Sequence, residues 1–407
     1  MPASPADCRQ TEVCDRPRQI EAAIAPLFEP FTVNGLTLPN RIAMAPMGRH
    51  FSRDGRPSDD YVAYYARRAA GGVGLVTSEA TPVPHPAAAH APTYSAYHGE
   101  GPLSVWGRVP AAVQGAGGKY MQQLFHVGGL RRAGDLPHPD APAVSPSGLY
   151  QPATGTGEPP QLNGRPATES ELADVVTAFG QAAADAQRLG CDGVNLHAAH
   201  GYLLDQFLWP TLNRREDGHG RAHPTRLAEE VVREVRRRVG PAFPIFLRIS
   251  QWKQQDYAAR LWEEPKALEA FLRPLIDAGV DLFDCSTRRF WTPEFQGSDL
   301  NLAGWVKKLS GVPTMTVGSV GLDRDLFEAG VRRPEADDGP SPNTGGLGDF
   351  AGPASLDRVV AMLERSDFDL VAVGRALISN PNWANDIRAG ATDRIRAFEK
   401  VHLASLE

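Results

Sequence analysis

The stretch Cys191–Arg221, CDGVNLHAAHGYLLDQFLWPTLNRREDGHGR, decides how the rest of the chain is read. It opens on Gly193–His197, where apolar Val194 and Leu196 alternate with polar Asn195 and His197. A period of two is that of a β-strand, with successive side chains on opposite faces. His197 therefore ends the run on the polar face. The chain turns at Gly201 and continues as an apolar segment, Tyr202–Leu208. His197, His200 and Tyr202 thus stand within six residues at the C-terminal end of a strand. In a parallel α/β barrel that end is where active sites are built.

Three readings compete for this cluster. It can be a satisfied polar turn that caps a strand. It can bind metal, since His-x-x-His offers two imidazoles, although zinc usually needs a third protein ligand and favours a helical i, i+4 pair. It can also be a pair of donors that polarise a substrate oxygen, with the phenol as proton source. The residue types favour the third.

Outward from this strand the chain alternates strands and helices. Residues 1–26 are expected to be a loose polar tail with a short helix near Ile20–Ala25. Phe31–Leu38, FTVNGLTL, is two short β runs around Asn34-Gly35, which suits a tight hairpin that could plug the bottom of a barrel. Arg41–Ala45 is a strand that stops at Pro46. Ser58 can cap a helix to about Ala70. Val73–Thr77 is strand two, Pro102–Gly115 a helix and Tyr120–Phe125 strand three. Val127–Ala167 is rich in Pro and Gly and too long for an ordinary connection, so it reads as a functional loop or lid. Thr168-Glu169-Ser170-Glu171 is a capping box for a helix with Leu172, Val175, Val176 and Phe179 at helical spacing.

After strand four come a helix at Arg226–Val239, strand five at Pro244–Ile249 and a helix at Pro265–Ala278. Strand six is Leu282–Cys285, followed by a helix at Leu302–Leu309 and strand seven at Pro313–Val317. A helix at Asp323–Ala329, a polar loop at Arg333–Gly352 and a helix at Ser355–Arg365 lead to strand eight at Asp369–Val373. Helices run from Arg375 to the end. Eight strands in alternation with helices predict an α/β fold, a (β/α)8 TIM barrel over residues 27–400 with an N-terminal β-hairpin and loop insertions.

The totals agree with a barrel enzyme. The chain has 407 residues, 42% of them hydrophobic, and a net charge of −6 that argues against a nucleic-acid surface. The four cysteines, Cys8, Cys14, Cys191 and Cys285, have no metal or disulfide spacing. A reducing cytoplasm is the simplest setting. The N-terminal MPASPADCRQTEVCDRPRQ lacks the apolar core of a signal peptide, and no stretch has the length of a membrane span.

Two glycine-bearing strand ends lie in the last quarter: Thr316-Val317-Gly318-Ser319-Val320-Gly321 and Val373-Gly374-Arg375. They follow strands seven and eight, where barrels often bind phosphate. Glycine lets the backbone approach an anion closely, and Arg375 adds a bidentate donor. Each turn alone is also explained as an ordinary tight turn.

These motifs together resemble the old yellow enzyme family of FMN-dependent ene-reductases. The resemblance runs from about Leu27 to about Gly390. It rests on LFEPFTVNGLTLPNRIAMAPM, GKYMQQLFHVGG, DGVNLHAAHGYLLDQFLWPTLNRRED, FLRIS, VGSVG and VGRALISNPNW in that order. It implies FMN as cofactor, NADPH or NADH as reductant and a small enone-type molecule as substrate. It further implies that His197 and His200 hold the substrate carbonyl and that Tyr202 donates the proton. Gln123 and Arg248 would meet the flavin's pyrimidine edge. Pro46, Met47 and Ala80 would line the isoalloxazine, and Gly318, Ser319, Gly374 and Arg375 would cradle the phosphate.

The chain departs from the family pattern at four positions. Gly48 stands where Cys or Thr commonly contacts the flavin carbonyl. His50 stands where a subgroup has a substrate-facing Tyr. Asn195 replaces an acid, and Gly129 replaces an Arg. His50 and Trp291 are candidate pocket residues, and Trp209 and Phe290 could add further aromatic walls, though plain packing also explains them. The alternatives are a desaturase or amine demethylase on the same scaffold, a metal hydrolase using both histidines, and a non-catalytic binding protein. No nucleic-acid or membrane partner is expected, and a homo-oligomer is left open.

Overall fold

Eight parallel strands close into a barrel in the computed structural model, which describes residues 24–321 and 353–407. They are β1 (Ile42–Met44), β2 (Leu75–Pro82), β3 (Lys119–Phe125), β4 (Gly193–His200), β5 (Ile245–Lys253), β6 (Leu282–Ser286), β7 (Thr314–Val317) and β8 (Leu370–Val373). Neighbours pair in chain order and β8 returns to β1, so the sheet has no edge. The expected α/β barrel is the fold observed. Most of the N-terminal tail, Cys8, Cys14, the expected helix Asp323–Ala329 and the loop Arg333–Gly352 lie outside the described residues.

The alternation in β4 sorts its side chains as the period of two predicts. Val194, Leu196 and Ala198 join Leu172, Val175, Phe179 and Val231 in the apolar shell between strands and helices. Asn195 instead bonds across the barrel interior. Helix Glu169–Arg188 starts at the expected capping box, with Thr168 Oγ1 accepting from Glu171 N and Glu171 Oε2 accepting from Thr168 N at 2.8 Å. Helices Arg226–Val239 and Pro265–Ala278 keep their expected bounds.

The bottom of the barrel is plugged. Phe31–Val33 pairs antiparallel with Leu36–Leu38, and the turn residues Asn34 and Gly35 have φ of 43° and 76°. Two positive φ values are what a primed hairpin turn requires. Val33, Leu36 and Leu38 pack against inward-facing Leu75, Met121, Phe246, Leu282, Met315 and Leu370. The plug closes the end of the barrel opposite the C-terminal rim that carries His197 and His200.

Several bounds differ from expectation for local reasons. Pro102–Gly115 is two helices, Glu100–Trp106 and Val109–Gly115, because Pro110 has no N–H and sits in the first turn of the second. Ser58 Oγ accepts from Asp60 N at 3.2 Å, but the residue at the cap position of helix Asp60–Ala70 is Asp59. Strand β2 begins two residues later than expected and runs on to Pro82, breaking register with β3 between Thr77 and Ala80.

The Val127–Ala167 loop is ordered by its own contacts. It holds a 3-10 turn, Gly128–Leu130, and a short ladder between Leu149–Tyr150 and Gln161–Leu162. Arg131 is fully buried and stitches the segment to itself and to Ala89, donating to the carbonyls of Asp135 (2.7 Å), Ala141 (3.1 Å), His138 and Ala89.

Candidate active site

The end of β4 is bent into a compact turn. His200 has φ of 63° and Gly201 φ of 78°, both left-handed. A non-glycine residue adopts that region only when its surroundings hold it there. Ser250 Oγ accepts from His200 N at 3.0 Å, and Asp205 Oδ2 accepts from Gly201 N at 2.7 Å. A Cβ on Gly201 would lie 1.9 Å from Gln255 Oε1, and its residue would have to adopt the φ of 78°, so a side chain there would displace Gln255 and strain the turn. The turn brings the His200 and Tyr202 rings to 4.9 and 5.0 Å from that of His197, both edge-on.

Burial sets the protonation of this cluster. It pushes the His197 imidazole well below its ordinary range, and the nearby Arg248 charge adds to the effect. Burial does the same to His200, with help from His197 and Arg248. Both rings are therefore neutral near pH 7. His197 Nδ1 accepts from Ala199 N at 3.3 Å, which leaves Nε2 to carry the proton and donate. Burial raises the Tyr202 phenol, while hydrogen bonds with Gln254 and Tyr94 pull it back. It remains a protonated donor, with Phe125 packed edge-on at 5.2 Å.

Below the turn lies a polar layer inside the barrel. The ladders set Asn195 opposite Gln123, His197 opposite Arg248, and Arg248 opposite Asp284. Gln123 Nε2 donates to Asn195 Oδ1 at 2.9 Å, and Asn195 Nδ2 donates to Asp284 Oδ2 at 2.9 Å. Arg248 Nε lies 3.6 Å from the same carboxylate oxygen. An amide at 195 can accept from one neighbour and donate to the other, which an ionised carboxylate could not do. Arg248 Nε and Asp284 Oδ1 have no hydrogen-bond partner among the described residues. Asp284 was not singled out from sequence. Its one signal is a polar residue within the apolar run Leu282–Cys285.

A second zone is the loop after β1 with the register break of β2. Glu79 sits in the break and is 3% exposed. Its Oε2 accepts from Arg49 N at 2.6 Å and His50 N at 3.2 Å, and its Oε1 accepts from the hydroxyls of Tyr61 (2.8 Å) and Ser95. This buried carboxylate pins the segment that presents Pro46, Met47 and Gly48, with Ala80 next to it in β2. The His50 ring folds back over Gly48, so that a Cβ there would lie 2.8 Å from His50 Nε2. His50 meets Tyr94 edge-on at 4.9 Å, and Tyr94 packs 5.4 Å from Phe125. These contacts tie His50 to the mouth that holds Tyr202. Glu79 and Tyr94 also escaped sequence reasoning.

The third zone is the pair of glycine turns. Gly318 has φ of 149°, and a Cβ on it would lie 2.6 Å from Thr287 O. Ser319 Oγ donates to Arg288 O at 2.9 Å, which leaves the backbone, not the hydroxyl, to face an anion. A Cβ on Gly374 would lie 3.5 Å from Met47 Sδ, so the turn after β8 adjoins the Pro46–Gly48 segment. Arg375 opens the next helical turn, with its guanidinium 5.6 Å from the Phe398 ring centre.

Other candidates sit differently. Trp291 packs edge-on against Phe290 at 4.9 Å, and the aromatic ring beside His200 is Trp252, at 4.4 Å. Trp209 packs with Leu149 and Leu212. At Gly129 a Cβ would come within 2.6 Å of Leu149 O, so an arginine would not fit without a shift. Among the described residues, the one group with metal-like spacing is Glu169, Asp217 and His219, and it contains neither His197 nor His200.

A buried arginine with an open donor, two glycine turns at the ends of β7 and β8 and a rim of neutral proton donors suit an FMN-binding site at the mouth of a barrel. That class is an FMN-binding oxidoreductase. The model of the NADH:flavin oxidoreductase / NADH oxidase family matches residues 26–332, and the chain belongs to this family, that of old yellow enzyme. It is 30% identical over 383 residues to an NADH oxidase of Thermoanaerobacter brockii, covering 91% of this chain and 52% of that protein. The chain thus spans about half the length of that relative. It is 28% identical over 370 residues to an NADPH dehydrogenase of Halalkalibacterium halodurans, covering 88% of this chain and 93% of that protein. The fold resembles the old yellow enzyme homologue from Zymomonas mobilis, with a TM-score of 0.73, 23% identity, and coverage of 93% of this chain and 96% of that one. The family sets the cofactor as FMN and the reductant as NADH or NADPH. No helix among the described residues is long and apolar enough to cross a membrane.

Proposed function

We propose that the protein reduces the activated C=C bond of α,β-unsaturated carbonyl compounds. The observation that carries this reading is the cluster itself: the His197 imidazole, with the His200 imidazole 4.9 Å and the Tyr202 phenol ring 5.0 Å from it. Such a set holds an oxygen that gains negative charge and delivers a proton nearby.

FMN, when bound, supplies hydride taken from NADH or NADPH. Gln123 and Arg248 would hold its pyrimidine edge. Pro46, Met47, Gly48 and Ala80 would flank its ring, and Gly318, Ser319, Gly374 and Arg375 would hold its phosphate. Arg248 fits this role because its buried Nε still lacks an acceptor. Its fixed charge favours negative charge on whatever it meets. His197 Nε2–H and the His200 ring hold the substrate's carbonyl oxygen. Losing one such donor typically costs about 2.7–4 kcal/mol in the barrier. Tyr202 passes its phenolic proton to the α-carbon.

The test is anaerobic. The purified protein should show the visible bands of FMN, be bleached by NADH or NADPH, and regain colour on addition of cyclohexenone, with cyclohexanone formed in equal amount. Failure of a panel of enones to restore the colour, with dioxygen restoring it at once, would remove the substrate class.

A further inference from the structure

His200 differs from His197 in which ring nitrogen is engaged. Its Nε2 lies 2.7 Å from Ser286 Oγ. Ser286 is the last residue of β6 and is 4% exposed. The contact therefore crosses over β5 and joins two strands that are not neighbours. The His200 ring is further fixed by the Trp252 face at 4.4 Å, and its backbone by Ser250 Oγ.

A neutral imidazole has one donor nitrogen and one acceptor nitrogen. Two tautomers are thus open to His200. With the proton on Nε2, the ring donates to Ser286 and turns a bare Nδ1 lone pair toward the site. With the proton on Nδ1, Ser286 O–H donates to Nε2, and Nδ1–H points away from the serine as a free donor. Among the described residues, Ser286 Oγ makes no other hydrogen bond, so His200 Nε2 is the one protein acceptor there for its hydroxyl proton. A hydroxyl that donated elsewhere would allow the first tautomer, but among the described residues no other group accepts from it.

We infer that Ser286 is a positioning residue that fixes His200 in its Nδ1–H tautomer. The two histidines then carry opposite tautomers. His197 donates through Nε2, because Ala199 N occupies its Nδ1. His200 donates through Nδ1, because Ser286 occupies its Nε2. Both remaining N–H groups are free for one acceptor between the rings. Taking that acceptor as the oxygen of an enone rests on the function proposed above, but the tautomer assignment does not.

The experiment uses the FMN-loaded protein with 15N-labelled histidine. The His200 signals are identified by their loss in His200→Asn. Wild type should show a protonated Nδ1 and an unprotonated Nε2. Ser286→Ala should give mixed or reversed protonation at His200 with the His197 signals unmoved, and Ser286→Thr, which keeps the hydroxyl, should restore the wild-type pattern. Turnover of cyclohexenone by reduced Ser286→Ala should fall by about tenfold to 100-fold, short of the 10²–10³ that removing a whole oxyanion donor costs. Reduction of the protein by NADPH should stay within about twofold of wild type, since no carbonyl oxygen gains negative charge in that step. A protonated Nε2 at His200 in wild type overturns the inference, as does a Ser286→Ala protein with unchanged tautomer and turnover. If the tautomer shifts as expected but no form of the protein reduces an enone, the inference stands and the substrate assignment falls.

Discussion

Lys253 Nζ meets Asp205 Oδ1 at 2.8 Å, with both side chains wholly shielded from solvent. The pair lies under the turn that carries His200 and Tyr202 and grips both of its sides. Asp205 Oδ2 accepts from Gly201 N, and Lys253 Nζ also donates to Ser250 O at 2.9 Å. Ser250 Oγ in turn accepts from His200 N. Burial pushes the carboxyl up and the ammonium down, and each charge pulls the other back toward its ionised form. The left-handed His200 is thus held by an ion pair that works only while complete.

Asp205→Asn removes one charge and leaves the other buried. Breaking a buried pair this way typically costs about 3–5 kcal/mol. The denaturation midpoint should fall accordingly, with bound FMN lost at lower denaturant than in wild type. A loss under about 1 kcal/mol in equilibrium unfolding would mean that the turn does not depend on the pair.

Much of this architecture was legible, and the exceptions share one cause. Helix Pro265–Ala278 announces both ends, with Pro265 at its start and left-handed Gly279 after it. His197, His200 and Tyr202 were legible as a group because six residues of sequence hold all three. Ser286 is 86 residues from His200, and Glu79 is 30 from Arg49. Such partners meet through barrel closure, which no local pattern encodes. The β4 end was read short because Ala198-Ala199-His200 abandons alternation where the strand begins to bend. The polar layer was half seen: Gln123 and Arg248 came from family likeness, while Asp284, which joins Asn195 to Arg248, lies in an otherwise apolar run.

Acid should destabilise the fold before its arginine-paired glutamates titrate. Burial lowers the imidazoles of His85, His90, His98, His126, His197 and His200. An unfolded histidine takes up a proton near pH 6.5, so below that pH the unfolded chain binds more protons than the folded one. Stability is complete above pH 6.5 and lost as pH falls beneath it, by at most about 1.4 kcal/mol per pH unit for each group. Glu171 and Glu234, both held at about 2 by arginine partners, begin to matter only below their ordinary value of 4.5. Asp205, Asp284 and Glu294, raised by burial, act in the opposite direction. Thermal midpoints should therefore drop between pH 6.5 and 5, and less so in His126→Gln. A flat profile in wild type would contradict the buried neutral state.

Asn195→Asp sets a second carboxylate against Asp284, where an amide now donates at 2.9 Å. Like charges at that distance cannot both ionise freely, so one pKa is raised. A raised folded pKa gives stability at low pH that is lost as pH climbs through it. Relative to wild type, the variant should unfold about 1–3 kcal/mol more easily at pH 8 than at pH 5. Parallel stability curves for the two proteins would show that the layer tolerates the extra charge.

Tyr202→Phe keeps the ring against Phe125 and removes the proton. Rapid-mixing measurements of each half-reaction should find reduction by NADPH unchanged and enone turnover about 10²–10⁴-fold slower, the usual share of general acid catalysis. Equal slowing of both halves would remove the donor role from Tyr202.

The Gly48 position separates space from chemistry. His50 Nε2 stands 2.8 Å from where a Cβ on Gly48 would be, so the imidazole fills the room of the missing side chain. Any substitution at 48 must first push that exposed ring aside, against its edge-on contact with Tyr94. Gly48→Ala displaces the ring and adds no donor, whereas Gly48→Thr displaces it and adds a hydroxyl. If residue 48 faces the flavin carbonyl, the hydroxyl should bond more strongly to the electron-richer reduced ring. A net hydrogen bond of about 0.5–1.5 kcal/mol then sets the Thr potential above the Ala potential by about 10–30 mV for a two-electron couple. The shift from wild type to Ala measures what His50 itself contributes. Equilibrium redox titration of the three proteins decides the matter. Equal potentials in Ala and Thr would leave residue 48 with a steric role alone, in which glycine makes room for His50 beside the flavin.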